Sequence, residues 1–226
     1  LNSINWLRVM GQVSYYVWLT KQFTSPINVA IPSGNFGNAY SAWFGRANGL
    51  AINEILCSTN VNDVLKRFID GGVLEPLVTQ PSVAPSMDIQ IPSSLERLIF
   101  DLCSEAKNFY DHLQSNSKAQ LDDKSVDTLK SIFSSVTFKD EMIKTLITLL
   151  HDEFGIIFDP HTVTSVQMAL DKNSTVPTVA VATASPEKFG NVISPLINGF
   201  TESKIDQKEQ YLTLSTKNTE IIEAIK

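Results

Sequence analysis

An α/β fold on a mostly parallel sheet is predicted for this chain, and three observations predict it. Residues 27–31 form an apolar run (Ile27, Val29, Ala30, Ile31) that enters a small-residue turn, then a helical stretch at about 39–47, then a second apolar run at 52–58. Strand, helix, strand in that order is a βαβ unit with parallel strands. Residues 178–182, TVAVA, repeat the pattern: a clean apolar run, read as a buried strand, leads into the cap-like Ser185-Pro186. Segments with apolar residues at helical spacing lie between and around these runs and supply the covering layers.

Residues 6–17 place Trp6, Val9, Met10, Val13, Tyr16 and Val17 at helical spacing, with Arg8 and Gln12 sharing another face. The first strand stops at Pro32, which has no N–H for a sheet ladder. Gly34 and Gly37 are read as the residues that let the turn tighten and a ligand approach the main chain. Ser33, Asn35 and Asn38 are read as caps of the helix that ends at Asn48-Gly49. Such a helix start, with free N–H groups and the positive end of its dipole, suits an anion. A GxxG turn alone is a weak signal, since a well-capped turn without a ligand has the same residues.

Asn60 and Asn62 are expected to open a short helix through Phe68, closed by Gly71-Gly72. Residues 77–87 read as an extended loop, long enough to suggest a functional or mobile segment. Ser93 and Ser94 precede an amphipathic helix carrying Leu95, Leu98, Ile99 and Leu102. Residues 107–155 include the most polar stretch. They are expected to form a helical excursion on the surface, with a turn at Gln114-Ser115-Asn116-Ser117 and a helix at 122–133. A strong helix is expected at 141–153 with Asp140 as its cap. Ile156 to Phe158 read as a short strand or turn, and Asp159-Pro160 as the start of a helix reaching Leu170. The tail from Thr201 is polar and ends in a helix at 219–226. If the strand at 178–182 joins the same sheet, Thr183 and the loop at 33–38 open on one edge, where ligands of parallel sheets bind.

Composition narrows the function. The net charge of -6, the pI near 5.1 and the lack of a basic run argue against nucleic acid and anionic membranes as partners. No apolar run is long enough to cross a bilayer. Cys57 and Cys103 sit in apolar segments and read as buried thiols in a reducing, cytoplasmic setting. His112, His151 and His161 lack the spacing of metal ligands, so no metal is expected. The chain starts without Met and reads as a piece of a longer protein.

Seven motifs in order carry a resemblance. They are Asn2-Ser3-Ile4-Asn5-Trp6, Pro32-Ser33-Gly34-Asn35-Phe36-Gly37, Thr59-Asn60-Val61-Asn62-Asp63, Pro85-Ser86-Met87-Asp88-Ile89, Ser94-Leu95-Glu96-Arg97-Leu98, Asp159-Pro160-His161-Thr162 and Ala182-Thr183-Ala184. Together the chain resembles the threonine synthases of the long microbial and fungal type.

The resemblance implies an incomplete tryptophan-synthase-β-like fold of type II, three layers with helices on both faces of the sheet. A large domain would occupy 1–200 and a tail 201–226, with the N-terminal lobe of the same protein missing. It implies pyridoxal 5'-phosphate as cofactor, with Gly34, Asn35, Phe36, Gly37 and Asn38 cupping its phosphate and Thr183 meeting its ring nitrogen. The implied reaction turns O-phosphohomoserine and water into threonine and phosphate, in a monomer or homodimer. Asn2, Ser3, Asn5, Arg8 and Ser185 are the candidate substrate contacts. Asn2, Ser3 and Asn5 serve equally as caps of the first helix, and Arg97 is a second candidate for phosphate. Met87 and Asp88 are candidates for positioning substrate or for an interdomain contact. His161 is read as a helix-start packing residue.

Two departures bear on function. The lysine that holds the cofactor lies upstream of the Asn-Ser-Ile-Asn motif in that family, so these residues alone are expected to be inactive; Lys188, nearest the proposed pocket, reads as a solvated lysine. The family's usual His is replaced by Ser185, which leaves open a related phospho-amino-acid lyase. A catalytically silent relative that keeps the fold as a binding module is the second reading.

Overall fold

The computed structural model describes residues 5–201. The expected Asn2 and Ser3 contacts and the expected helix at 219–226 lie outside them. In order, the elements are α1 (Trp6–Thr20), β1 (Ile27–Pro32), α2 (Gly37–Ala47), β2 (Ile52–Thr59), α3 (Val64–Gly71), β3 (Val73–Leu74), α4 (Leu95–Leu102), α5 (Ala106–Asn116), β4 (Ala119–Gln120), α6 (Asp123–Lys130), β5 (Phe133–Thr137), α7 (Asp140–Phe154), α8 (Thr162–Asp171), β6 (Thr178–Ala180) and α9 (Gly190–Ile193).

Four strands form an all-parallel sheet in the order β5-β2-β1-β6. A small antiparallel pair, β3 with β4, stands apart. Alternation along the central strands creates three layers. Ile27, Val29 and Ile31 of β1, with Ile55 and Cys57 of β2, enter one core with residues from α1 through α6. Ala30 and Leu56 face the other way, into a second core with α7, α8 and α9. β1 is buried at every position, as expected of a central parallel strand covered on both faces.

Several local expectations are corrected. Gln114-Ser115-Asn116 is the last turn of α5, and the chain reverses one residue later at Ser117, which has φ 54°. The buried Phe109, edge-on to Phe68, docks this polar helix on α3 and carries it past the turn-like residues. The segment read as a surface excursion supplies β5, which pairs with β2 and buries Phe133. The helix expected at 122–133 therefore stops at Lys130. Residues 156–158 form no strand. β6 is half-buried, because among the described residues it is an edge strand with one neighbour. α3 begins at Val64, and Asn60 and Asn62 instead enter a buried polar network.

That network holds the long loop. Asp88 Oδ1 accepts from Asn60 Nδ2 (2.6 Å), Asn62 Nδ2 (3.1 Å) and Ser82 Oγ (2.6 Å), and Asp88 Oδ2 accepts from the Ser82 N–H (3.0 Å). Asn62 exchanges two bonds with the Gln80 backbone, and Asp140 accepts from the Val83 N–H. The loop expected to be functional or mobile is thus tied to the segment after β2 and to the start of α7.

Candidate functional site

β1 and β6 are adjacent and parallel, so the loops that leave their carboxyl ends meet. They line one cavity of about 520 Å³ with the start of α2, the 3-10 turn Pro85–Met87 and one face of α1. Gly34, Asn35, Phe36, Gly37, Asn38 and Thr183 all border it, as does Arg8. Asn5, Ser185, Arg97 and Lys188 do not.

The loop reaches this shape by a route its residue types did not show. Phe36 has φ 67° and ψ 4°, the left-handed conformation, whereas neither Gly34 nor Gly37 has positive φ. A non-glycine residue there costs about 1–2 kcal/mol. Burial of the Phe36 ring, tilted on Phe133 at 5.5 Å, offsets that cost. Gly34 is required by a close approach instead. A Cβ at that position would stand 2.5 Å from the Ser86 carbonyl oxygen and 3.0 Å from Met87 Cα.

None of the expected side-chain caps closes α2. Its cap residue is Phe36, with no side-chain hydrogen bond to the first turn. The Ser33 hydroxyl donates to the Ile31 carbonyl, and Asn35 Oδ1 accepts from the Ser93 hydroxyl. Asn38 Oδ1 accepts from the hydroxyls of Tyr16 (2.7 Å) and Tyr15. Burial pushes the Tyr15 hydroxyl up to about 12, against the opposing effect of its hydrogen bonds, so it stays a donor at neutral pH. The first turn of α2 thus meets the cavity without a competing side-chain acceptor, the condition for binding an anion there.

Asn5 caps α1 by accepting from the Leu7 N–H at 2.9 Å, which is the cap reading of that residue. Ser185 opens the 3-10 turn Pro186–Phe189 and donates to Glu187 at 2.5 Å. Arg97 donates to Ser94 Oγ and stands over the Tyr40 ring. Gln12, Tyr15 and Ser86 border the cavity without being among the expected site residues. The first two were findable: Arg8, Gln12 and Tyr15 lie at helical spacing of four and three. The burial of Cys57 raises its thiol to about 12, so it is no nucleophile.

His161 also borders the cavity, buried, with Nδ1 2.9 Å from Asp159 Oδ1. Burial works to raise the Asp159 carboxyl, but bonds from the His161 side chain, Thr162 and the His161 backbone outweigh it and hold the group below its ordinary value. A carboxyl depressed on folding adds stability above its unfolded pKa, and that stability is lost as pH falls through the folded value. Asp159→Asn is therefore expected to destabilise by about 1.5–3 kcal/mol at pH 7. Its urea midpoint falls less than the wild-type midpoint as pH is lowered below about 4. Equal deficits at pH 7 and at the acid end would refute this.

The chain is 32% identical to the threonine synthase of Pseudomonas aeruginosa over 202 residues, which cover 85% of the chain and 43% of that protein. Its structure superposes on PLP-bound threonine synthase from Brucella melitensis with a TM-score of 0.86 at 28% identity, covering 100% of the chain and 52% of that one. The yeast threonine synthase structure gives a TM-score of 0.82 at 29% identity, covering 88% of the chain and 45% of that one. No family model matches. The chain spans about half the length of the curated relatives it matches.

Proposed function

Because the chain belongs to the threonine synthase family over about half of that family's length, we propose that it is the part of a pyridoxal-phosphate-dependent threonine synthase that cups the cofactor phosphate and meets its ring nitrogen. The whole enzyme is a carbon–oxygen lyase that converts O-phosphohomoserine and water to threonine and phosphate. The observation that carries this reading is the meeting of the α2 start and Thr183 in one cavity.

The cavity suits the cofactor by its donor set. The first-turn N–H groups of α2, unclaimed by a side-chain cap, would take a phosphate at the positive end of the helix dipole. Gly34, with Ser86 packed where a Cβ would be, keeps this loop close to the opposite wall. Thr183, exposed at the end of β6, would offer a neutral hydroxyl to the ring nitrogen. Bound there, the cofactor supplies an electron sink for proton loss beside the amino group. A hydroxyl partner does not hold the nitrogen protonated, so it moderates that sink. Arg8, on the cavity wall, carries the charge to attract the substrate phosphate. Tyr15 and Tyr16 hold Asn38, and through it the start of α2.

No lysine borders the cavity among the described residues. On this reading the lysine that must hold the cofactor and move protons lies upstream of the Asn-Ser-Ile-Asn motif, as the family resemblance implies, and these residues alone are expected not to turn over. In the full-length protein purified with pyridoxal phosphate, a near-visible absorbance band should become fixed by borohydride, and O-phosphohomoserine should release phosphate. A band without turnover on this substrate points to another phospho-amino acid, in keeping with Ser185. No band leaves the silent-module reading. Thr183→Val should keep the cofactor and lower kcat about 10- to 100-fold, the loss of one hydrogen bond to a charge-bearing group. Unchanged kcat would remove Thr183 from the ring-nitrogen role.

A further inference from the structure

His161 is tied to the site more closely than a helix-start residue needs to be. The residue is 3% exposed, and its ring is held on three sides. Nδ1 lies 2.9 Å from Asp159 Oδ1, the Phe189 ring packs at 4.9 Å between centroids, and Nε2 accepts the backbone N–H of Ser86 at 3.1 Å. The Ser86 N–H can only donate, so Nε2 presents its lone pair and the ring proton sits on Nδ1, donated to Asp159. Asp159 is locked in turn by the N–H groups of His161 and Thr162.

What the ring holds is a cavity wall. The Ser86 carbonyl closes on Gly34, at the base of the loop that enters α2. The neighbouring Thr162 hydroxyl accepts the N–H of Thr183 at 3.1 Å. The start of α8 therefore grips both sides of the cavity, one through an imidazole and the other through a hydroxyl. We propose that His161 is a positioning residue: as a neutral, Nδ1-protonated ring, it pins the Ser86 turn against Gly34. With Thr162 it thereby sets the spacing between the phosphate cup and Thr183. The cofactor part of this inference rests on the function proposed above; the grip on Ser86 does not.

Two substitutions separate positioning from packing. In His161→Gln the side-chain oxygen reaches the place of Nε2 and still accepts from Ser86. In His161→Asn the side chain ends near the place of Nδ1 and does not. Both lose the full ring and its packing on Phe189. In the full-length protein, His161→Asn should speed hydrogen exchange at the Ser86 amide about tenfold and weaken pyridoxal phosphate binding about tenfold, the worth of one hydrogen bond. His161→Gln should stay within about threefold of wild type in both. Ser86→Pro, which deletes the donated N–H at an exposed position and also presses Pro85 out of the helical conformation of the turn, should lower cofactor affinity at least as much as His161→Asn. It keeps the proposal testable if the histidine variants fail to fold.

Equal behaviour of the Gln and Asn variants at the Ser86 amide would overturn the proposal. So would unchanged cofactor affinity in both His161→Asn and Ser86→Pro. If the wild-type protein binds no pyridoxal phosphate, the cofactor reading fails by itself, and the Ser86 exchange still decides whether His161 holds the turn.

Discussion

Gly34→Ala is expected to weaken pyridoxal phosphate binding in the full-length protein by about a hundredfold, the scale of a 1 Å misplacement at a preorganised site. The added Cβ would meet the Ser86 carbonyl oxygen at 2.5 Å, Met87 Cα at 3.0 Å and Ile89 Cγ1 at 3.3 Å. Two of these three atoms are main chain, so no side-chain rotation relieves the clash. Either the loop into α2 moves away from the turn, or the turn moves out of the cavity wall. Both change the distance from the helix start to Thr183. The loss of stability should be smaller, about 1–3 kcal/mol, as for other overpacked positions. Gly37→Ala is the contrast. Its Cβ would stand 3.5 Å from Ser94 Oγ, an ordinary contact, and the helix gains from the exchange. Equilibrium titration of both variants, followed by the cofactor absorbance, checks the pair. Wild-type affinity in Gly34→Ala would mean that the loop and the turn do not touch as closely as described.

Asp88→Ala is expected to destabilise the fold by about 3–5 kcal/mol, the range for breaking a buried polar network. The carboxylate accepts from Asn60, Asn62 and both donors of Ser82. Asn60 and Asn62 are 0% and 2% exposed, so their amides cannot turn to water when the charged acceptor is removed and keep only the neutral ones, the Ser82 hydroxyl, the Asn60 side-chain oxygen and the Ala84 and Gln80 carbonyls. The loop at 77–91 then keeps fewer ties to the end of β2, among them the Asn62–Gln80 and Asn60–Ala84 bonds, and Ser86 and Met87 are held less firmly on the cavity wall. Asp88→Asn keeps one acceptor and should fall between the alanine variant and wild type. Urea unfolding gives the order of the three, and limited proteolysis locates the loosening. Stability within 1 kcal/mol of wild type would show that water replaces the carboxylate, and that the loop is held by its 3-10 turn and by Asp140.

The parallel sheet was legible because its signals are local. Ile27, Val29 and Ile31 alternate with smaller residues, and βαβ order admits few arrangements. The cavity's location followed from the same order, since adjacent parallel strands bring the loops at 33–36 and 181–184 to one edge. Arg8, Gln12 and Tyr15 were legible as one helix face, although only the first two were paired in advance. The edge strand β5 was not legible. FSSVT has neither a long apolar run nor a turn on each side, and it becomes a strand because β2 offers it a free edge. The extension of α5 over Gln114-Ser115-Asn116 likewise depends on the docking of Phe109 on Phe68.

The reversal of the loop that enters α2 shows the division most clearly. By residue type the two glycines were the obvious source of the turn, yet the left-handed residue is Phe36. A phenylalanine pays for that conformation only where its ring has a core to enter, and the core is built by Phe133, far along the chain. The sequence by itself determined the layered parallel fold, the edge on which the cavity opens, and the residue types that reach it, because periodicity and chain order are properties of neighbours. The tertiary structure alone decided why Gly34 is a glycine, which residue reverses the loop, and what His161 holds. Each of those rests on a contact between segments distant in sequence, and such contacts leave no mark on the local pattern of either segment.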